Sequence, residues 1–332
     1  MRKKIDIRKL ISNNMLYVIM ILMVVIIACI SPRFLSFRVL RDILNQSASR
    51  IVIACGCMFV IVSGGADLSG GRMVGLTAVI SGTLAQEATY SLKFWPNLPE
   101  LPAIVPILAA MLVGAAVGAF NGMIVAKWKV PAFLATLGTQ MVLYGVNCLY
   151  FAKAPNNSQP LTGYRDDFSF FGTGQIFGIN ILIIVAFAAL LFCHILTTKT
   201  TLGKEIFAVG GNAEAAKVSG INVLKIVIIT YILAGLFYGL GGAMEAARTG
   251  SATSNYGSGY ELDAIASCIV GGCSVAGGVA TVPGVFLGVI LFNVINYGLT
   301  FIGLSSYWQY VVKGAIIIIA IALDMRKARK TA

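Results

Sequence analysis

The chain has 332 residues; 58% are hydrophobic, 11% are charged, and the mean hydropathy is +0.87. Soluble domains carry about 25% charged residues, so this composition excludes a water-soluble globular protein and points to an integral membrane protein. The net charge of +12 does not indicate nucleic acid: Arg2, Lys3, Lys4, Arg8 and Lys9 precede the first apolar run, and Arg326, Lys327, Arg329 and Lys330 come after the last, where basic residues set the orientation of spans.

A bilayer core needs about 20 apolar residues per helix. The first run, Met15–Ile30, comes after basic residues as a signal peptide would. It has no small-x-small cleavage site behind it, and the chain continues "SPRFLS", so it reads as a retained first span. Further spans are predicted near Ile43–Ser63, Met73–Gln86, Ala103–Ala126, Ala132–Phe151, Phe177–Leu196, Val223–Met244, Leu262–Gly272, Val282–Thr300 and Tyr307–Leu323. The expected fold is all-α: about ten transmembrane helices in one domain over residues 1–332. Glycine and polar residues break or shorten the second, third, eighth and ninth segments.

Alternation from a cytoplasmic N-terminus places both tails, "KWK" at Lys127–Lys129 and residues 197–222 inside. Lys199, Lys204, Lys217 and Lys225 then fall on or near the inner side, as the positive-inside tendency requires. Arg33, Arg38, Arg41 and Arg50 dissent, since they sit on or near the first outer connection. That connection either packs into the protein or dips into the membrane.

Two stretches share one glycine frame. "GGADLSGG" places Gly64, Gly65, Gly70 and Gly71; "GGCSVAGG" places Gly271, Gly272, Gly277 and Gly278. Alternation puts both on the inner side. Glycine permits positive φ and close backbone approach, and irregular backbone at membrane depth is tolerated only inside protein or beside a watery cavity. The frames are therefore expected beside a pathway, with Gly65 and Gly272 in equivalent roles. The alternative is helix packing through small residues.

Residues 197–222 form a polar segment between two spans. Within "GKEIFAVGGNAEAAKVSGINV" the pattern predicts one short helix. Asn212 suits the N-cap, Glu214 the first turn, Lys217 the last turn, and Gly220 the C′ position. Ala213, Ala215, Ala216 and Val218 would make a small, smooth face. So short a helix needs a surface to dock on, and Gly210, Gly211 and Ser219 complete the stretch.

Ionisable residues within spans are functional candidates by default. Asp67 and Arg72 bracket the first frame. Glu245 and Arg248 are spaced to pair on one helical face. Glu261 and Asp263 open the eighth segment, and Lys313 lies in the last span. The candidate pathway adds Ser69, Ser274, Asn293, Asn296, Tyr297 and Gln309, whose polar groups suit a sugar or interhelical bonding. For each charged residue a buried structural pair is the competing reading. Seven cysteines show no metal spacing, and one histidine, His194, builds no metal site. No phosphate-loop pattern occurs; "TTLGKE" lacks its opening glycine. No catalytic residue, metal or cofactor is expected on the chain.

"GGNAEAAKVSGINV", "SGGADLSGGRMVGL" and "ELDAIASCIVGGCSVAGG" together resemble the bacterial sugar ABC importer permeases, the ribose, xylose and galactose family. "RTGSATSNYGSGYELDAIA", "VINYGLTFIGLSSYWQYVVKGAIII" and "VPAFLATLGTQMVLYGVN" are most similar to its galactose/methyl-galactoside branch. The similarity runs from about Ser47 to the C-terminus, and Ala152–Gly178 departs from the pattern. The resemblance implies a multi-pass protein of the bacterial inner membrane, embedded in lipid, with both termini cytoplasmic. Two copies would form the path for a monosaccharide. A cytoplasmic tandem ATPase subunit, which would hold ATP and Mg, would dock at Gly210–Ile221. An extracytoplasmic sugar-binding protein would deliver the substrate to the outer face, and nucleic acid has no part. The alternatives are a permease for another monosaccharide such as ribose, or a secondary transporter working alone.

Overall fold

The computed structural model describes residues 15–331; the basic N-terminal residues fall outside the described residues, as do the side chains of the basic C-terminal ones. Helix α1 (Met15–Ile30) leads through a 3-10 turn at Pro32–Leu35 into α2 (Phe37–Val62). Then come α3 (Gly70–Leu84), α4 (Ile104–Trp128), α5 (Ala132–Phe151) and the short α6 (Asp166–Thr173). A two-stranded antiparallel hairpin, β1 (Gln175–Ile176) and β2 (Ile179–Asn180), pairs Gln175 with Asn180. The chain continues through α7 (Ile181–Lys199), α8 (Thr201–Gly211), α9 (Ala213–Val218), α10 (Val223–Thr249), α11 (Tyr260–Val270), α12 (Val282–Phe301) and α13 (Ser306–Thr331).

Six of these helices, α2, α4, α5, α7, α10 and α12, are long and apolar enough to cross a membrane. The protein is thus a mostly helical, multi-pass membrane protein. Four of the about ten expected segments, at α1, α3, α11 and α13, lie outside this set, and α3 and α11 are the shortest of the four. With 15 and 11 residues, they cover roughly 22 and 16 Å, short of a core about 30 Å thick.

The dissenting arginines have a simple placement. Helix α2 starts at Phe37, capped by Ser36, whose Oγ accepts from the Val39 amide at 3.4 Å. Arg38, Arg41 and Arg50 therefore ride on the helix and not on a connection. From Ile51 to Val62 every residue of α2 is buried. It is the central post of the molecule, which is why it reads as apolar all round rather than amphipathic.

Helices α4 and α10 lie against each other through glycine. Gly114 and Gly235 face one another's carbonyl oxygens, Gly118 backs onto the Tyr231 carbonyl, and Gly239 onto that of Ala110. Spacing by four puts these glycines on one face of each helix, so the backbones approach closely without side chains between them. Gly271 against Gly284, and Gly288 against the Ser267 carbonyl, join α11 to α12 in the same manner.

The connections gather at two ends. At one end lie the start of the first glycine frame, the second frame and the C-terminal end of α8. At the other, bridges link Gln86 with Tyr164 and Leu161 with Ala252. Asp167 Oδ2 accepts from the Ala103 amide at 2.9 Å, and Arg165 pairs with Glu100 at 3.2 Å. Burial among these loops pushes the Tyr164 phenol above its ordinary pKa. From this end the segment 250–259 runs back down α3: Ala252 lies against Gly82, the Tyr256 carbonyl against Gly75, and Gly257 against Gly71. It is a re-entrant stretch, tolerated at such depth because it is packed in protein.

Candidate functional site

The two frames and the segment before α9 meet in one backbone junction. The Gly278 amide donates to the Val62 carbonyl at 2.9 Å. A side chain on Gly210 would overlap that same carbonyl, and one on Gly277 would meet both Gly64 and the Gly210 carbonyl. Gly278 stands over Gly211. Three chain segments thus pass within backbone contact, which only glycine permits.

The frames do not adopt one conformation, contrary to the expectation that Gly65 and Gly272 are equivalent. In the first, Gly64 alone has positive φ, +83°; in the second Gly272, Gly277 and Gly278 do, at +91°, +88° and +72°. The frames differ at both glycine pairs: the left-handed residue of the first pair is Gly64 in one and Gly272 in the other, and the second pairs are built differently. Gly70 and Gly71 already lie in α3, whereas Gly277 and Gly278 lie in a turn closed by the Ser274 amide donating to the Val279 carbonyl. Gly65 is crowded by side chains instead, with Tyr231 Oη and Val60 Cγ1 each 3.0 Å from where a Cβ would sit.

The segment 197–222 holds two helices, α8 and α9, not one. Asn212 caps α9, its side chain accepting from the Ala215 amide at 2.9 Å. At the other end Gly220 has φ +87°, and its amide donates to Lys217 O while Ile221 N donates to Ala216 O, both at 3.0 Å. This pair of bonds closes the helix in a Schellman motif. The small face splits: Ala216 is buried in this chain's own core, while Ala213, Ala215 and Val218 are exposed, Val218 by 89%. A six-residue helix cannot turn four of its residues to one side, so the face expected to be continuous is divided.

Asp67 and Ser69 are sealed inside. Ser69 donates to Asp67 Oδ1 from its amide at 2.9 Å and its hydroxyl at 2.6 Å. Asn121 donates to Ser69 Oγ at 2.9 Å, and Thr139 to Asn121 Oδ1 at 2.6 Å. This relay ties the start of α3 to α4 and α5. A carboxylate taken from water needs such donors.

A second group of charges joins α2, α10, α11 and α13. Glu245, 1% exposed, accepts from Ser49 Oγ at 2.7 Å and pairs with Arg248 at 2.7 Å. Arg50 reaches both Glu245 and Asp263 at 3.7 Å, and its guanidinium lies 3.2 Å over the Tyr260 ring. Lys313 completes the set, 3.1 Å from Asp263. Charges at this depth persist only when paired. Sequence reasoning reaches the carboxylates Glu245 and Asp263 but misses Arg50 as the group that bridges them. The signal available is an arginine midway along α2, beyond Arg38 and Arg41 and directly before the apolar run that starts at Ile51.

The other candidates scatter. Glu261 is buried against Gly71, and its Oε2 has no hydrogen-bond partner. Arg72 makes no ion pair among the described residues; its guanidinium stacks 4.2 Å over Tyr144 and reaches Asn255 and Ser258 at 3.5 Å. Asn293 is buried near Arg50 and Asp263. Tyr297 donates to Asp42 at 3.4 Å beside a cavity of about 470 Å³ that Asn45, Asn180 and Arg248 also line. Asn296 Oδ1 is buried without a partner. Gln309 donates to the Leu304 carbonyl at 3.1 Å. Ser274 lies in the turn of the second frame, accepting from the Ala276 amide at 3.3 Å. Among the described residues no cluster of His, Cys, Asp or Glu has the makings of a metal site.

Residues 39–321 match the family described as the branched-chain amino acid transport system permease component. The chain is 45% identical over 325 residues to the galactose/methyl galactoside import permease protein MglC of Haemophilus influenzae, covering 97% of this chain and 96% of that protein. It is 48% identical over 320 residues to the protein of the same name from Escherichia coli K12, covering 95% of each. The ribose import permease protein RbsC of Escherichia coli K12 is 38% identical over 312 residues, covering 93% of this chain and 92% of that protein. No solved structure gives a significant match. Helices that suit a bilayer, a family match that takes in both frames and α9, and relatives aligned almost end to end lead to one conclusion: the chain belongs to this family of membrane permease components.

Proposed function

We propose that this chain is the permease subunit of an ABC importer for galactose and methyl-galactoside. The observation that carries the reading is identity of 45–48% over nearly the whole chain to permeases named for those sugars, against 38% to one named for ribose. Uptake of labelled galactose, ribose and xylose tests it, in a deletion strain supplied with this chain, its ATPase and its binding protein. Galactose uptake that needs the ATPase supports it. Preferred ribose uptake overturns the substrate, and uptake without the ATPase overturns the class in favour of a secondary transporter.

In this reading two copies enclose the path, and ATP and Mg reside on the tandem ATPase subunit. Residues 197–222 form the cytoplasmic coupling segment, and the frame end faces the cytoplasm. The exposed side of α9, with Ala213, Ala215 and Val218 around the charged Glu214 and Lys217, meets the ATPase; Gly210, Gly211, Ser219 and Gly220 shape that contact. Ala215→Glu adds a charge that is desolvated on docking, so transport falls while the permease still inserts. Ala216→Glu tests something else, because Ala216 packs within this chain; it lowers the amount of folded permease. The opposite end, with the exposed Asn157, faces the binding protein. Asn157→Cys then reacts with an impermeant thiol reagent in intact cells, and reaction only after permeabilisation reverses the orientation.

A further inference from the structure

The half-length helices α3 and α11 meet N-terminus to N-terminus. Gly71, in the first turn of α3, lies against the Glu261 carboxylate in the first turn of α11, and Gly257 of the re-entrant stretch closes over both. Helix α11 then runs 11 residues to the second frame, roughly 16 Å. The meeting point is therefore near the middle of a core about 30 Å thick.

Unusual side chains stand at this level. Arg72 is half-buried, makes no ion pair among the described residues, and lies flat over Tyr144, which is 40% exposed on the outside of the chain. An arginine facing lipid at mid-depth is costly, so this face lines an aqueous route. Ser258, within reach of Arg72, also borders a neighbouring cavity of about 320 Å³. Tyr260, Gln309 and Lys313 line its other side. That size suits a small ligand. Its wall mixes fixed donors, amide and hydroxyl groups that both donate and accept, and aromatic rings. A monosaccharide presents the matching features: a ring of hydroxyls and a flat C–H face. Beside the groove, the Glu261 Oε2 and Asn147 Oδ1 acceptors are buried without partners, so polar capacity here exceeds what the chain itself uses.

We propose that this groove, running from Tyr144 and Arg72 across Ser258 to Tyr260, Gln309 and Lys313, is where the permease itself holds the sugar in transit. Arg72 and Arg50 already lie over the Tyr144 and Tyr260 rings, and Asp263 holds Lys313, so the sugar meets Ser258, Gln309 and the remaining donor positions of Arg72 and Lys313, between the exposed edges of the two rings. The proposal rests on the reading of the chain as a sugar permease, and goes beyond it by locating the mid-membrane contact.

The test uses the full importer, with ATPase and binding protein present. Tyr144→Leu and Gln309→Leu each lower uptake at saturating sugar roughly tenfold, the loss expected for one strong contact at the rate-limiting state, with the complex recovered in wild-type amount. Ser258→Cys reacts with a small water-soluble thiol reagent faster than the wild-type background, and D-galactose slows that reaction. Wild-type uptake by both leucine variants overturns the proposal, as does a Ser258→Cys that is unreactive or reacts equally with and without sugar. If the importer carries D-ribose, and ribose rather than galactose protects Ser258→Cys, the groove stands and only the choice of sugar falls.

Discussion

The two glycine frames are spelled alike and built differently. In the first, one glycine turns the chain, and Gly65, Gly70 and Gly71 are small because Tyr231, Tyr238 and Glu261 press on them. In the second, three glycines hold positive φ and the backbone itself is the contact surface. Glycine thus serves two physical ends in one pattern: room for a neighbour's side chain, and a conformation that a Cβ opposes. The frames converge on Gly210 and Gly211, at the C-terminal end of α8 and next to α9, so displacement of that end presses on both at once.

That contrast can be broken by substitution, starting where the effect is largest. Gly210→Ala places a methyl group on the Val62 carbonyl, so backbone must move. The cost is about 3 kcal/mol or more, and little assembled complex should be recovered from detergent extracts. Wild-type recovery would show that the junction is loose. Gly277→Ala combines a positive φ with crowding against Gly64 and the Gly210 carbonyl. It should assemble in reduced amount and lose most transport, and full transport in this variant would end the idea that the frames work through the junction.

Smaller effects separate conformation from crowding. Gly272→Ala meets open space but keeps φ +91°. Its cost is the left-handed penalty alone, about 1–2 kcal/mol, seen as a lower Tm of the purified complex; an unchanged Tm would mean that the turn relaxes freely. Gly65→Ala is milder still, about 1 kcal/mol, because its contacts at 3.0 Å are with two side-chain atoms, Tyr231 Oη and Val60 Cγ1, and not with backbone. The Tyr231 hydroxyl that makes one of these contacts is buried without a hydrogen-bond partner. Tyr231→Phe should therefore restore part of the loss in the Gly65→Ala protein in a double-mutant cycle, the Val60 Cγ1 contact at 3.0 Å remaining, while doing nothing for Gly272→Ala. Equal rescue of both would erase the distinction between the frames.

The class of the protein, its long spans and the ends of α9 are legible in the sequence alone. These are local or additive properties: apolar length against bilayer thickness, a cap at Asn212, a left-handed stop at Gly220. Glu245 and Arg248 pair because helical spacing alone brings them together. Where distant segments meet is a matter of packing. Gly64, Gly210 and Gly277, far apart in the sequence, share one junction, and no periodicity announces that. Residues 250–259 turn back along α3 to lie against Gly82, Gly75 and Gly71, contacts that no local pattern announces. Ala216 turns inward while Ala215 stays outside, because the six-residue helix has one side against its own core. Arg72 stands over Tyr144 beside the point where two short helices meet, and only packing fixes where a helix with no long apolar run comes to rest.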